Sequence, residues 1–147
     1  MRLPFAQPVL NEDLATPDRP VWRIEVLPIS AGQVVRVEFI EASGEWRQGV
    51  WLATEGSLEC NGSAASQLVL WEDTSPRVVD VTVHETDGRL RLYNIWDSGR
   101  GFGDHESQSA TAGMVKRVRD DGAFVYACND IGVDPDFTKL TFAITVL

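Results

Sequence analysis

The stretch RVVDVTVHETDGRLRLYNI, residues 77–95, decides the fold class of this 147-residue chain. Val79, Val81 and Val83 alternate with polar residues, which is the period-two pattern of a half-buried β-strand. The dipeptide at 87–88 is Asp-Gly, whose residue types suit the positive φ angles of a type I′ turn. Apolar residues alternate again over 89–93, so the stretch predicts a β-hairpin.

Strand signals continue on both sides of this stretch. Runs at 21–27, 33–41, 50–53 and 67–72 are strand-like, a second hairpin is expected at 114–128, and a last strand at 139–147. About nine strands without helical periodicity predict an all-β fold, a single antiparallel β-sandwich of the jelly-roll type. Residues 1–20 carry four prolines and are expected to form an extended N-terminal arm before the sandwich domain at 21–147.

Composition excludes several classes of partner. Lys and Arg number 13 against 22 Asp and Glu, which gives a formal net charge of -9. Nucleic-acid backbones and anionic lipid surfaces both select basic proteins, so neither is an expected partner. The sequence shows no apolar run that resembles a leader peptide or a membrane helix, and a cytoplasmic location is therefore predicted.

One connection is longer than compact domains normally use. Residues 96–113 separate two predicted strands and contain four glycines, and loops of this length are usually functional. An exposed tryptophan can stack on a sugar ring while charged side chains hold its hydroxyl groups. The same aromatic residues also suit core positions or anchors for a protein partner. The candidate ligand-binding residues are Trp46, Trp96, Asp97, Arg100 and His105.

A second candidate site is the acidic segment that precedes the last strand. Asn129, Asp130, Asp134 and Asp136 place four oxygen-bearing side chains within eight residues, a composition that suits calcium. Asp and Asn are equally the residues that form turns, so the segment has a purely structural interpretation as well.

The end of the chain, Tyr126–Val146, resembles the C-terminal part of bacterial calcium-dependent galactose lectins and the wider galactose-binding-like sandwiches. The similarity consists of a strand that ends in Asn-Asp, an acidic loop and a closing strand of alternating apolar residues. It implies that the loop holds calcium and that the ion holds sugar hydroxyls. This chain has Asp134-Pro135-Asp136 where paired asparagines are expected.

These observations lead to one main hypothesis for function. The hairpin at 114–128 lies between the loops at 96–113 and 129–136, so both loops are expected at the same end of the domain. The main hypothesis is a non-enzymatic module that binds a carbohydrate or another small polar ligand, with calcium as the candidate cofactor. The alternative is an inhibitor-type or immunity-type domain that covers a basic protein, because complementary charge speeds association.

Hydrolysis is a third interpretation. It would use Asp97, His105 or Glu106, although the chain carries no recognisable nucleophile motif. The sequence does not specify the oligomeric state.

Overall fold

The computed structural model describes residues 5–101, 103–132 and 134–147, and over these ranges the chain forms ten β-strands. No helix in the described ranges is long and apolar enough to cross a membrane. The strands are β1 (Val9–Leu10), β2 (Trp22–Pro28), β3 (Val34–Ala42), β4 (Arg47–Cys60), β5 (Ser63–Trp71), β6 (Val78–Glu85), β7 (Arg89–Asp97), β8 (Gly113–Val118), β9 (Phe124–Asn129) and β10 (Leu140–Val146).

Eight of these strands close into an antiparallel barrel. Their order is β2-β7-β4-β6-β3-β10-β9-β8, and the pairing of Trp22 with Met114 joins β8 back to β2. The two remaining strands lie outside this ring, where β1 pairs with β2 and β5 pairs with β4. The predicted β-sandwich or jelly roll is therefore wrong. Alternating residues give a strand one buried face in either architecture, so only the pairing of distant strands distinguishes the two.

The stretch at 77–95 is also not a hairpin. It forms β6 and β7, but in the described residues these strands pair with others: β6 with β3 and β4, and β7 with β2 and β4. Both strands pair with β4 instead: Arg47–Ala53 of β4 pair with β7, and Ser57–Glu59 pair with β6. The second predicted hairpin is confirmed, since β8 and β9 pair from Gly113↔Asn129 to Val118↔Phe124.

The interior of the barrel is apolar along most of its length. Burial of aliphatic and aromatic side chains from every strand of the ring supplies the main driving force for folding. The ring of Tyr126 stacks on the ring of Phe142 with a centroid distance of 5.1 Å. Fully buried members of this core include Val35, Val37, Leu52, Leu58, Val81, Val83, Leu90, Leu92, Met114 and Ile144.

One buried carboxylate interrupts this core beside the pairing of β2 with β8. Glu25 is 3% exposed, and its Oε2 accepts a hydrogen bond from the Tyr126 hydroxyl at 2.8 Å and forms an ion pair with the Lys116 ammonium at 2.9 Å. Burial, and then the neighbouring Glu25 charge, raise the pKa of Tyr126, so this hydroxyl stays protonated and donates. A buried charge is tolerated when it is paired in this way.

The pairing register of β4 shifts between Ala53 and Leu58, an irregularity here called its bend, and Gly56 lies within it. Its φ is +154°, and a Cβ at this position would lie 2.0 Å from the carbonyl oxygen of Glu85. We expect Gly56→Ala to lower the free energy of unfolding by about 2–3 kcal/mol, because backbone must move to admit the methyl group. Urea denaturation followed by tryptophan fluorescence measures this loss.

The matched control is Gly62→Ala in the turn between β4 and β5. Gly62 also has a positive φ, +79°, but nothing lies within 4 Å of the point that an added Cβ would occupy. This control should cost only about 1 kcal/mol, the cost of the left-handed backbone conformation. Equal losses for the two variants would show that the contact with Glu85 does not constrain the bend.

Candidate functional site

The two loops that the sequence singles out lie side by side at one end of the barrel. The Thr111 hydroxyl donates to the Asp130 carbonyl at 3.0 Å, and the Asn129 side-chain amide donates to the Thr111 carbonyl at 2.8 Å. The paired strands β8 and β9 hold the two loops together, since Gly113 and Asn129 are partners in their register.

The first loop is closed at its base by a pair of backbone hydrogen bonds. The Trp96 amide donates to the Glu106 carbonyl at 3.1 Å, and the Glu106 amide donates to the Trp96 carbonyl at 2.7 Å. Two residues further, Gln108 bonds to β2: the Arg23 guanidinium donates to its carbonyl at 2.9 Å, and its own side-chain amide donates to the Arg23 carbonyl at 3.0 Å. Residues 106–108 therefore bridge β7 and β2 beyond the point where these strands pair.

The carboxylate of Glu106 organises the tip of this loop. Its Oε1 accepts from Arg100 at 2.6 Å, and its Oε2 accepts from the Ser98 amide at 2.8 Å. Burial is the largest influence and raises the pKa of Glu106, but the hydrogen bonds from Ser98 and Arg100 outweigh it and lower the pKa overall. Glu106 is thus charged at neutral pH. Asp97 has a local role, because its carboxylate accepts from the Gly99 amide at 2.8 Å.

A cavity of about 390 Å³, here called the loop cavity, lies between this loop and Ile131. It brings together three of the predicted ligand-binding residues, whereas Asp97 and Trp46 do not line it. Glu106, which the sequence suggested only for hydrolysis, lines it as well, and the two serines carried no sequence signal. The lining residues are Trp96, Arg100, His105, Glu106, Ser107, Ser109 and Ile131.

Trp96 differs from its predicted role. An exposed ring was expected, but the side chain is 1% exposed, because its position on β7 faces the barrel interior opposite Gln48 of β4. Its indole Nε1 is buried and has no hydrogen-bond partner among the described residues. A buried donor without a partner costs roughly 1–3 kcal/mol.

Two buried acceptors, one of them on the register partner of Trp96, also lack partners in the described part of the chain. They are Gln48 Oε1 and Asn129 Oδ1. The amide nitrogen of Gln48 donates to Asp130 Oδ2 at 2.8 Å, which fixes the orientation of that amide and leaves its oxygen unpaired. Buried polar side chains thus gather at this end of the barrel, in contrast to its apolar middle.

Trp46 belongs to a separate cavity of about 320 Å³, here called the Trp46 cavity. Ile131 lines both cavities. Trp46 is half-buried, and three charged residues, of which only Asp134 lies in the second loop, contribute to the wall. The lining residues are Glu45, Trp46, Ile131, Gly132, Asp134 and Lys139.

The four predicted calcium ligands are not gathered around one point. Asp130 is fully buried and accepts from Gln48 and from the Gly132 amide, while the Asn129 amide donates to backbone carbonyls. Asp136 accepts from the Thr138 amide and also bonds to Lys139, contacts that lower its pKa, and Asp134 is exposed. Across 5–101, 103–132 and 134–147, no group of three or more His, Cys, Asp or Glu side chains is placed to hold a metal ion.

The chain matches no protein-family model and no curated protein in sequence. The loop cavity is lined by one pair of opposite charges, two serines, an imidazole and an indole ring, residue types that suit recognition of a small polar molecule.

The ion pair of Glu106 and Arg100 leads to a prediction about how the free energy of unfolding depends on pH. Because folding lowers the pKa of Glu106, its carboxylate stabilises the protein above the ordinary glutamate pKa, and this contribution is lost as pH falls through the folded-state value. We expect Glu106→Gln to lower the free energy of unfolding by roughly 1 kcal/mol at pH 7 and by much less near pH 3. Urea titrations at several pH values measure the difference.

Glu45→Gln is the matched control. It removes the same charge from an exposed side chain and should change stability by less than about 0.5 kcal/mol at either pH. A loss for Glu106→Gln that stays constant between pH 7 and pH 3 would contradict the proposed role of the carboxylate charge.

Proposed function

We propose that this protein binds a small, uncharged, hydroxyl-bearing ligand of the sugar or polyol class in the loop cavity. The observation that carries the proposal is Trp96, which lines the loop cavity and whose buried indole N–H has no partner among the described residues. A ligand that accepts this hydrogen bond would remove the cost of the unpaired donor.

Hydroxyl groups fit the hydrogen-bonding capacity of the site. The Trp96 indole requires an acceptor, whereas the Glu106 carboxylate, which lines the same cavity, accepts hydrogen bonds. A hydroxyl group both donates and accepts, while a carboxylate or phosphate oxygen only accepts and an ammonium group only donates. The hydroxyls of Ser107 and Ser109 add further groups of the same dual capacity to the wall.

The charges at the site favour a neutral ligand. Arg100 and Glu106 form an ion pair at 2.6 Å, so the positive charge is balanced inside the cavity wall. The whole chain carries -9, and its field repels anions as they approach. The predicted calcium ligands do not converge, so the proposal assigns no metal to binding.

Glycan binding tests the proposal directly. A glycan array with neutral and acidic members, followed by saturation-transfer NMR with free monosaccharides and polyols, should show binding of neutral ligands. We expect Trp96→Phe to weaken this binding about tenfold, because it removes one buried hydrogen bond, worth about 1.4 kcal/mol, and keeps an aromatic ring.

Trp51→Phe provides the matched control. The indole N–H of Trp51 already donates to Gln67 at 3.2 Å, and Trp51 does not line the loop cavity. This variant should bind as the wild type does. If neutral sugars and polyols fail to bind, or if Trp96→Phe binds them with unchanged affinity, the proposal is wrong.

A further inference from the structure

Strand β5 is long and has a neighbour on one side only. It covers nine residues, Ser63–Trp71, and among the described strands it pairs only with β4. Its outer edge therefore presents unpaired backbone N–H and C=O groups, which form a ready template for another strand. Among the described ring strands, β8 is joined to β2 through one register pair only, but its remaining residues 115–118 include Lys116 and Arg117, charged residues of the kind that protect an edge.

The other strand outside the ring is protected, and β5 is not. Strand β1 is only two residues long and follows directly after Pro8, which has no N–H to donate. Proteins usually protect an exposed edge by such shortening, by proline or by charged side chains, especially lysine. The nine residues of β5 include neither proline nor a charged residue.

The lack of charge extends beyond the strand itself. Residues 60–71, between Glu59 and Glu72, form the longest stretch of the sequence without Asp, Glu, Lys or Arg. Charged residues make up 24% of the chain, so about three would be expected in a surface segment of this length. Ala65 and Val69 are nevertheless exposed. An edge of this kind suits burial against a partner rather than contact with solvent.

We propose that β5 pairs antiparallel with β5 of a second copy of this chain, about a two-fold axis at Gln67. This register pairs all nine residues of each strand and places Ala65 opposite Val69 of the second copy. It also sets the acidic residues Glu72 and Asp73 of each copy beside the uncharged turn at 61–62 of the other. A parallel arrangement would bring the two acidic ends together, where like charges repel.

A second copy fits this edge better than a basic protein does. A basic partner would require acidic side chains at the contact, and β5 has none. Two copies that each carry -9 repel one another at long range, but salt screens this repulsion beyond roughly 10 Å. Dimerisation through an uncharged edge should therefore strengthen as ionic strength rises, whereas binding of a basic partner should weaken.

Sedimentation equilibrium on the full chain, over a wide concentration range at low and high salt, tests the proposal. We expect a monomer–dimer equilibrium that shifts toward the dimer at high salt. The double variant Ala65→Lys with Val69→Lys should weaken dimerisation at least tenfold, because it places lysines opposite each other. A wild-type chain that stays monomeric at every concentration would overturn the proposal.

Two further variants control for folding and for charge. Ala65→Lys with Val69→Glu places opposite charges across the same contact and should restore the dimer. Val118→Lys adds a lysine on β8, where the native side chain is 65% exposed, and should dimerise as the wild type does. If the Lys–Glu pair fails to restore dimerisation while circular dichroism shows an unchanged fold, the antiparallel register is wrong.

Discussion

The closure of the barrel at β2 is the constraint on which the rest of this structure depends. Strands β2 and β8 share only one register pair, Trp22↔Met114, so backbone hydrogen bonds alone join them weakly. Glu25 reinforces the junction, because its buried carboxylate forms an ion pair with Lys116 on β8 and accepts a hydrogen bond from Tyr126 on β9. An unpaired charge here would cost several kcal/mol, so the three side chains favour the closed arrangement over an open sheet.

The same junction determines where the candidate site forms. Strand β2 pairs with β7 only through Glu25–Pro28, and beyond that point residues 106–108 take the place of a neighbouring strand. The loop is thereby attached to Trp96 on one side and to Arg23 on the other. A loop fixed at both ends can hold Glu106 and Arg100 in one arrangement, which lowers the entropic cost of binding a ligand.

The sequence predicts the strands well and their partners poorly. Period-two alternation locates β3, β6 and β7, because it reports one buried face. It contains no information about strands distant in sequence, so the Asp87-Gly88 turn suggested a hairpin, whereas both strands pair with β4. The all-β content was therefore predictable, whereas the barrel was not.

For the site, the long loop and its residues Trp96, Arg100 and His105 were identifiable from length and residue type. The burial of Trp96 was not, because it depends on the register with β4. The hypothesis of a basic protein partner rests on net charge alone. Net charge is a property of the whole chain, so it does not identify a binding surface and does not bear on the geometry of either cavity.

Strand β4 connects the loop cavity with the free edge of β5. Along one edge of β4, Arg47–Ala53 pair with β7, and this segment places Gln48 opposite Trp96. Beyond the bend at Gly56, Ser57–Glu59 on the same edge pair with β6. Strand β5 follows the opposite edge of β4 on both sides of that bend. A strand has only two edges. Because one edge of β4 pairs with the ring strands β7 and β6, β5 pairs with the other edge and lies outside the ring. An uncharged outer edge in so acidic a chain carries a risk of aggregation unless another strand covers it.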